Sequence, residues 1–480
     1  MSQPKQKYDA VIIGGGLAGL TCALTLIRRG KKICLLEKMH MAGGCQGYFK
    51  RGEFLFEPNI HSVAEAGENG IVNLTLASLA MKETPSFSQL HPNVHLIFPD
   101  ESFDIPAELG EYLSLLRQKF PSEASAIDGI FKTMGDIYIG IVRHQGKAPI
   151  IEQYAGKVFQ QLLDEFISDR KLQMIISGFW GWGFPPSKIS VLVYSTLTYS
   201  LCANGNYLPR GGISSVIKLL EREIIEGGGK ISYNSSVEKI TLQDGRAVGV
   251  MVENGEHIMG DAIVSNIDAN TTFFQMVGEQ YLPSDFVSQL KKLEPALSCF
   301  NVLLGIKNEN IIPEDFATNN FVYSDYDFSV QYEAIMNGEI EKAPYCITIP
   351  TKINPLLAPA GHHIITLYTP IAYRPKGIDD WNKKKDEYTI RFIKMAEKVI
   401  PGLKKHIVEM EVTTPDTLER FTGNSKGAIA GWNYTPFTDV ARPQNKTPID
   451  GLWLAGHWTF PGPGTHSAIP SGCITASMIT

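Results

Sequence analysis

Apolar and polar positions sort this chain into buried strands, amphipathic helices and glycine-rich turns. Tyr8 to Ile13 is a continuous apolar run, as expected of a parallel strand covered on both faces, and Gly14-Gly15-Gly16-Leu17-Ala18-Gly19 follows at once. Beyond the glycines, Leu20, Ala23, Leu24 and Ile27 recur at helical spacing, with Arg28 and Arg29 in the last turn and Gly30 placed to end it. Lys32 to Leu36 reads as a second buried strand that ends at Glu37.

Farther along, Tyr207-Leu208-Pro209-Arg210-Gly211-Gly212 leads into a predicted helix with apolar positions at Ile213, Val216, Ile217 and Leu220, closed by Gly227-Gly228-Gly229. Short alternating strands follow between Val237 and Met259, with Asp244-Gly245 and Asn254-Gly255 as hairpin turns. Ala262 to Ser265 and Gly451 to Gly456 return as buried-strand patterns, the second running into Pro461-Gly462-Pro463-Gly464 and a helix from Ser467 to Met478.

Two blocks of different character separate these pieces. The first is expected to be mainly helical, with amphipathic stretches at Leu109 to Phe120 and Val158 to Ile176; the second mixes strands such as Ile364 to Thr369 with a helix near Tyr388 to Val399. The pattern predicts an α/β fold: a Rossmann-type nucleotide-binding domain built from three separated segments, 1–84, 201–274 and 421–480, with a mixed α+β substrate lobe inserted as 85–200 and 275–420. No internal repeat is present.

Composition narrows the function. The 480 residues are 44% hydrophobic and 20% charged, which suits a globular chain with a large core. Forty-four Lys and Arg against 50 Asp and Glu give a net charge of -6, and the one basic run is Lys383-Lys384-Lys385, so no nucleic-acid partner is expected. The seven cysteines contain no CxxC pair, which points to a reducing compartment and no structural metal. Met1 to Lys7 is polar and gives neither a signal peptide nor a membrane span, and Met174 to Leu201 is apolar but broken by Gly178, Gly181, Gly183, Pro185, Pro186 and Lys188. The expected location is cytoplasmic, with a membrane surface as a conceivable peripheral contact.

Strand, glycine turn, helix, strand and acid together form a dinucleotide-binding fingerprint. Gly14 permits the tight turn, Gly16 the approach of a pyrophosphate, and Gly19 the close packing of helix on strand; Glu37 is placed to accept from ribose hydroxyls. The fingerprint alone does not separate NAD from FAD. A second glycine pair in Ala42-Gly43-Gly44-Cys45, then Phe54-Leu55-Phe56-Glu57, and the glycine-rich block from Gly456 to Gly472 favour FAD, and with them the sequence resembles the flavin amine oxidase and phytoene desaturase superfamily. Tyr207 to Gly212, Val264-Ser265-Asn266-Ile267-Asp268 and Phe460 to Ala468 are most similar to its carotenoid isomerase, phytoene desaturase and retinol saturase branch.

The resemblance implies that FAD is held by Gly14, Gly16, Ala18, Gly19, Glu37, Lys38, Gly43, Gly44, Cys45, Val237, Gly456, His457, Gly462, Gly464, Thr465, His466 and Ser467. It implies hydride exchange at flavin N5 with carbon–carbon bonds of a long apolar polyene, as desaturation, saturation or isomerisation, and an unidentified electron donor or acceptor. His61 stands where saturase-like relatives carry a histidine and is the candidate proton donor or head-group ligand, with Glu57 beside it as a second catalytic candidate. Phe179, Trp180, Trp182 and Tyr194 are the candidate substrate wall, with an ordinary aromatic core as the competing reading. The adjacent pair His362-His363 is rejected as a metal site, because neighbours on a strand point to opposite faces.

Two departures stand out: His457 replaces the acid common after this glycine, and Glu57-Pro58-Asn59 replaces the usual Asp-x-Gly. Three other readings stay open: a flavin amine oxidase, a reductase or cyclase of a polyene natural product, and a prenyl-binding escort protein that shares the fold without flavin.

Overall fold

A computed structural model describes residues 7–144, 146–307 and 310–479. Residues 1–6 of the polar N-terminal stretch lie outside the described residues.

Two seven-stranded sheets organise the chain. In the first, Lys230–Ser232, Ile33–Leu36, Lys7–Ile13, the C-terminal half of His257–Ser265, and Leu452–Leu454 run parallel in that order. Arg246–Val252 and Val237–Gln243 extend the sheet as an antiparallel ribbon, turning at Asp244-Gly245. The apolar runs that predicted fully covered strands are covered on one face by helices Leu17–Arg28, Ile213–Glu226 and Thr465–Met478, and on the other by the larger core that joins Val11, Ile13, Cys34 and Leu36 with Val237, Ile240 and Val250. Thr465–Met478 lies along Leu17–Arg28, with Gly472 against the Ala18 carbonyl and the Thr21 hydroxyl donating to the Ile469 carbonyl at 2.9 Å.

The second sheet is ordered Ile407–Thr413, Ser298–Lys307, His362–Ile371, Tyr345–Thr348, Asn319–Val322, Val94–Ile97, Ser102–Ile105. It draws on both inserted blocks, joined where Asn319–Val322 pairs parallel with Val94–Ile97. The first block is thus less purely helical than its periodicity suggests: it supplies two strands here and a third, Phe87–Gln89, beside Asn206–Pro209. Val158 to Ile176 is also not one helix. It breaks into Phe159–Phe166 and Arg170–Ile176, because the Asp169 side chain caps the second by accepting from Leu172 N–H at 3.0 Å.

Met174 to Leu201 folds as the end of one helix, a short turn at Trp180–Trp182 and helix Val191–Ala203. Among the described residues, no helix is long and apolar enough to cross a membrane. His362 and His363 separate as their strand predicts: His362 lies edge-on to Phe54, whereas His363 Nδ1 meets the Thr351 hydroxyl at 2.8 Å.

Candidate functional site

The glycine turn places two helix N-termini at one cavity. Gly14 has φ +97°, and a β-carbon there would come within 2.8 Å of Ile267 Cγ2. A side chain on Gly19 would collide with the Gly14 carbonyl, so helix Leu17–Arg28 leaves hard against the strand it follows. Gly16 and Gly464 cap helices Leu17–Arg28 and Thr465–Met478 without any side-chain acceptor, leaving their first N–H groups for an anion. The second glycine pair is strapped to the first, since Gly43 N–H donates to the Gly15 carbonyl at 2.9 Å.

Glu37 closes one end. Its Oε2 accepts from Gly15 N–H at 2.6 Å and its Oε1 from Met39 N–H at 2.8 Å, which fixes the carboxylate while each oxygen keeps a lone pair for a ribose hydroxyl. Burial pushes its carboxyl above the usual range, and the two N–H groups oppose that shift.

The cavity measures about 1050 Å³. It runs from Glu37, Lys38 and Val237, past Gly14, Gly16, Ala18, Gly43, Gly44 and Cys45, to Gly456, His457, Gly464 and Thr465. Four residues expected in the lining are not there. Gly19 lies inside the turn, Gly462 faces the Arg442 guanidinium, His466 folds back over Gly464, and Ser467 is in the first turn of its helix with its N–H on the Gly464 carbonyl. His457, the departure from the usual acid, does line the cavity; its carbonyl accepts from Arg442 Nη1 at 3.1 Å, and burial with the nearby guanidinium pushes its imidazole down to about 4.

The residues fit a dinucleotide cofactor. A β-carbon on Gly16 would come within 2.9 Å of Asn266 Nδ2 and one on Gly44 within 3.2 Å of Gly16 Cα, so glycine is what lets these two backbone segments meet at the cavity wall. Gln46 Oε1 and Thr413 Oγ1 are buried on the lining without a hydrogen-bond partner, available to the polar edge of a bound ring. Gln46, Thr413, Asn266, Asn59 and Asn424 were not singled out from the sequence as site residues. Asn266 was visible only as part of a family motif, yet it supports the turn by donating to the Gly14 carbonyl at 3.2 Å. Asn424 Nδ2 donates to Cys45 Sγ at 3.1 Å, and burial pushes that thiol up to about 11.

The two catalytic candidates part company. Glu57 is turned into the N-terminus of helix Ile213–Glu226, where Oε1 accepts from Ser214 N–H at 3.0 Å and fills the space beside Gly212. Burial raises its carboxyl, but it is absent from the cavity lining, so the structure gives it a capping position in place of the expected catalytic one.

His61 sits at the seam with the lobe and, like Glu57, is not among the residues that line the cavity. Its Nδ1 meets Thr348 Oγ1 at 2.8 Å, its ring lies edge-on to Tyr368 with centroids 4.9 Å apart, and its Nε2 is buried with no partner. Burial alone pushes the imidazole down to about 4. Two residues before His61 in the chain, Asn59 lines the cavity, and Asn301 Nδ2 reaches the Pro58 carbonyl at 3.3 Å and Asn59 Oδ1 at 3.4 Å.

Of the expected substrate wall, Phe179, Trp180 and Tyr194 are fully buried members of the main core, and none of them lines the cavity. Tyr194 is held there by its hydroxyl, which donates to the Ser177 carbonyl at 2.7 Å. This favours the core reading for those three. Trp182 packs against the same core and is also absent from the cavity lining; what sets it apart is its carbonyl, which accepts from the Tyr368 hydroxyl at 2.9 Å and so joins it through Tyr368 to His61.

Comparisons with known proteins agree with this geometry. The profile of the family described as flavin containing amine oxidoreductase matches residues 17–480. A chloroplastic prolycopene isomerase from Daucus carota is 29% identical over 516 residues, covering 99% of this chain and 80% of that protein. An all-trans-retinol 13,14-reductase from Rattus norvegicus is 26% identical, covering 96% of this chain and 84% of that protein. Among solved structures, an oxidoreductase from Methanosarcina mazei superposes with a TM-score of 0.70 at 18% identity, over 98% of this chain and 100% of that one.

Proposed function

This chain belongs to the flavin-containing amine oxidoreductase family and is an FAD-dependent oxidoreductase, and from that premise we propose that it acts on carbon–carbon bonds of a long apolar polyene of the carotenoid or retinoid class. The relatives named as a prolycopene isomerase and a retinol reductase support that class, since each matches nearly the whole chain. The observation that carries it is the neutral seam: burial alone shifts His61, with no charged group contributing, and the side chains it meets, Thr348 and Tyr368, are uncharged. A desolvated neutral wall receives an apolar chain at little cost, whereas an ammonium substrate would lose its hydration without a carboxylate to replace it.

Bound FAD supplies two-electron chemistry by exchanging hydride with a substrate carbon. The protein's own part is binding and exclusion of water. The helix N-termini that begin at Gly16 and Gly464 would hold the pyrophosphate, Glu37 would accept from a ribose, and Gln46 and Thr413 would offer acceptors from the cavity lining. On this reading His61, neutral near pH 7, receives or orients the reacting end of the polyene, with the Tyr368 ring edge-on beside it and Trp182 joined to Tyr368 through its carbonyl. An electron partner outside the chain completes any net oxidation or reduction. An apolar substrate resides in membranes, so the protein works in peripheral contact with a bilayer; remaining wholly unbound in liposome flotation at low and high salt would remove that part.

The test is a paired assay of the flavin-loaded protein. Incubation with prolycopene or all-trans-retinol is expected to change the polyene on chromatography, and incubation with primary amines to release no peroxide. Peroxide from amines with unchanged polyenes would make the chain an amine oxidase.

A further inference from the structure

The seam contains a hydrogen-bond chain whose directions can be read without seeing a hydrogen. Asn319 and Thr348 are directly opposed across strands Asn319–Val322 and Tyr345–Thr348, which puts both side chains on one face of the lobe sheet. Asn319 Nδ2 donates to the His61 main-chain carbonyl at 2.9 Å, and this fixes the amide, because the flipped orientation would set two acceptors against each other. Asn319 Oδ1 therefore faces Thr348 and accepts its hydroxyl proton at 2.9 Å. With that proton committed, Thr348 Oγ1 has only lone pairs for His61 Nδ1, 2.8 Å away, and Nδ1 must carry the hydrogen. The Cys346 thiol, 3.5 Å from the same oxygen, can only add a donor.

We propose that Thr348 and Asn319 are positioning residues that lock His61 in the Nδ1–H tautomer, so that its buried Nε2 offers a lone pair, not a proton, to a donor on the substrate such as a hydroxyl of the polyene. Nε2 has no partner of its own and is buried, which is the condition under which an acceptor discriminates for a ligand that brings a donor. The arrangement also spans the two parts of the molecule, since His61 follows the first nucleotide-binding strands while its lock belongs to the lobe sheet. That Nε2 meets substrate rests on the polyene reading above; the tautomer itself does not.

Nitrogen-15 spectra of histidine-labelled, flavin-loaded protein test it, with His61→Gln identifying the His61 signals. The expected spectrum shows a protonated Nδ1 and a bare Nε2, unchanged in Thr348→Ser and shifted toward the Nε2–H form in Thr348→Val. A wild-type Nε2–H signal, or a folded Thr348→Val with the wild-type tautomer, would overturn the proposal; the wild-type spectrum decides even where the variant does not fold. Adding all-trans-retinol to the same samples separates the two questions: an Nδ1–H tautomer whose Nε2 signal does not move on addition would sink the contact with the polyene and leave the lock standing.

Discussion

The cofactor cradle and the lobe seam are built from different parts of the polypeptide. In the cradle the backbone does the binding: two uncapped helix starts, glycines strapped to glycines, and one carboxylate pinned by two N–H groups. At the seam side chains do it, and they come from segments far apart in the chain: His61, Asn301, Asn319, Thr348 and Tyr368. Backbone recognition demands glycine at fixed spacings, whereas a side-chain network needs only that its members meet. The cradle accordingly requires particular residues at fixed spacings, and the seam does not.

The largest expected break comes from the cradle. Gly19→Val drives a branched side chain into the Gly14 carbonyl, and Gly16→Val presses a side chain onto Asn266 at the cavity wall. The first is expected to abolish soluble protein, and the second to give folded protein whose flavin absorbance is lost; normal flavin content in Gly16→Val would remove the argument for backbone approach. Next comes Glu37→Ala, which strips the acceptor from two N–H groups and from the ribose, with an expected loss of about 2–4 kcal/mol in FAD binding, measured by titration of apoprotein.

The seam predicts a pH dependence. The folded His61 imidazole lies near 4 against about 6.5 in the unfolded chain, so between those values the unfolded state binds more protons and stability falls as pH falls, by at most ~1.4 kcal/mol per pH unit. Above about 6.5 this contribution is constant. Glu37 and Glu57, whose carboxyls are raised, act with the opposite sign, so the difference in melting temperature between wild type and His61→Phe across that window isolates the histidine. A flat difference would mean the imidazole is solvated. The smallest effect is expected at Glu57→Gln: weakened capping costs ~1 kcal/mol of stability, while kcat stays within twofold because the side chain lies off the cavity. A collapse of kcat with unchanged stability would return Glu57 to the chemistry.

Legibility in the sequence followed the same division. Buried strands, both glycine turns, the hairpins and the acid at the end of the second strand were readable because each rests on local spacing. The lobe sheet was not, since its register joins residues from 94 to 105 with residues from 298 to 413, and no local pattern announces a parallel pairing of that length. Asn319 and Thr348 carry no motif. Phe179, Trp180 and Tyr194 show the converse error: aromatic density reads alike whether it walls a tunnel or fills a core, and here the core has it. The capping position of Glu57 was not legible, because a carboxylate that accepts from a helix start in another segment is indistinguishable in sequence from one facing a substrate.

Absorbance of the purified, flavin-loaded protein under anaerobic conditions, recorded while a polyene and then a primary amine are added, tests the pairing of a flavin cradle with a neutral seam most directly. The account predicts that the polyene perturbs the flavin bands and its own spectrum together and that the amine leaves both unchanged. Flavin bleached by the amine and indifferent to the polyene would contradict it.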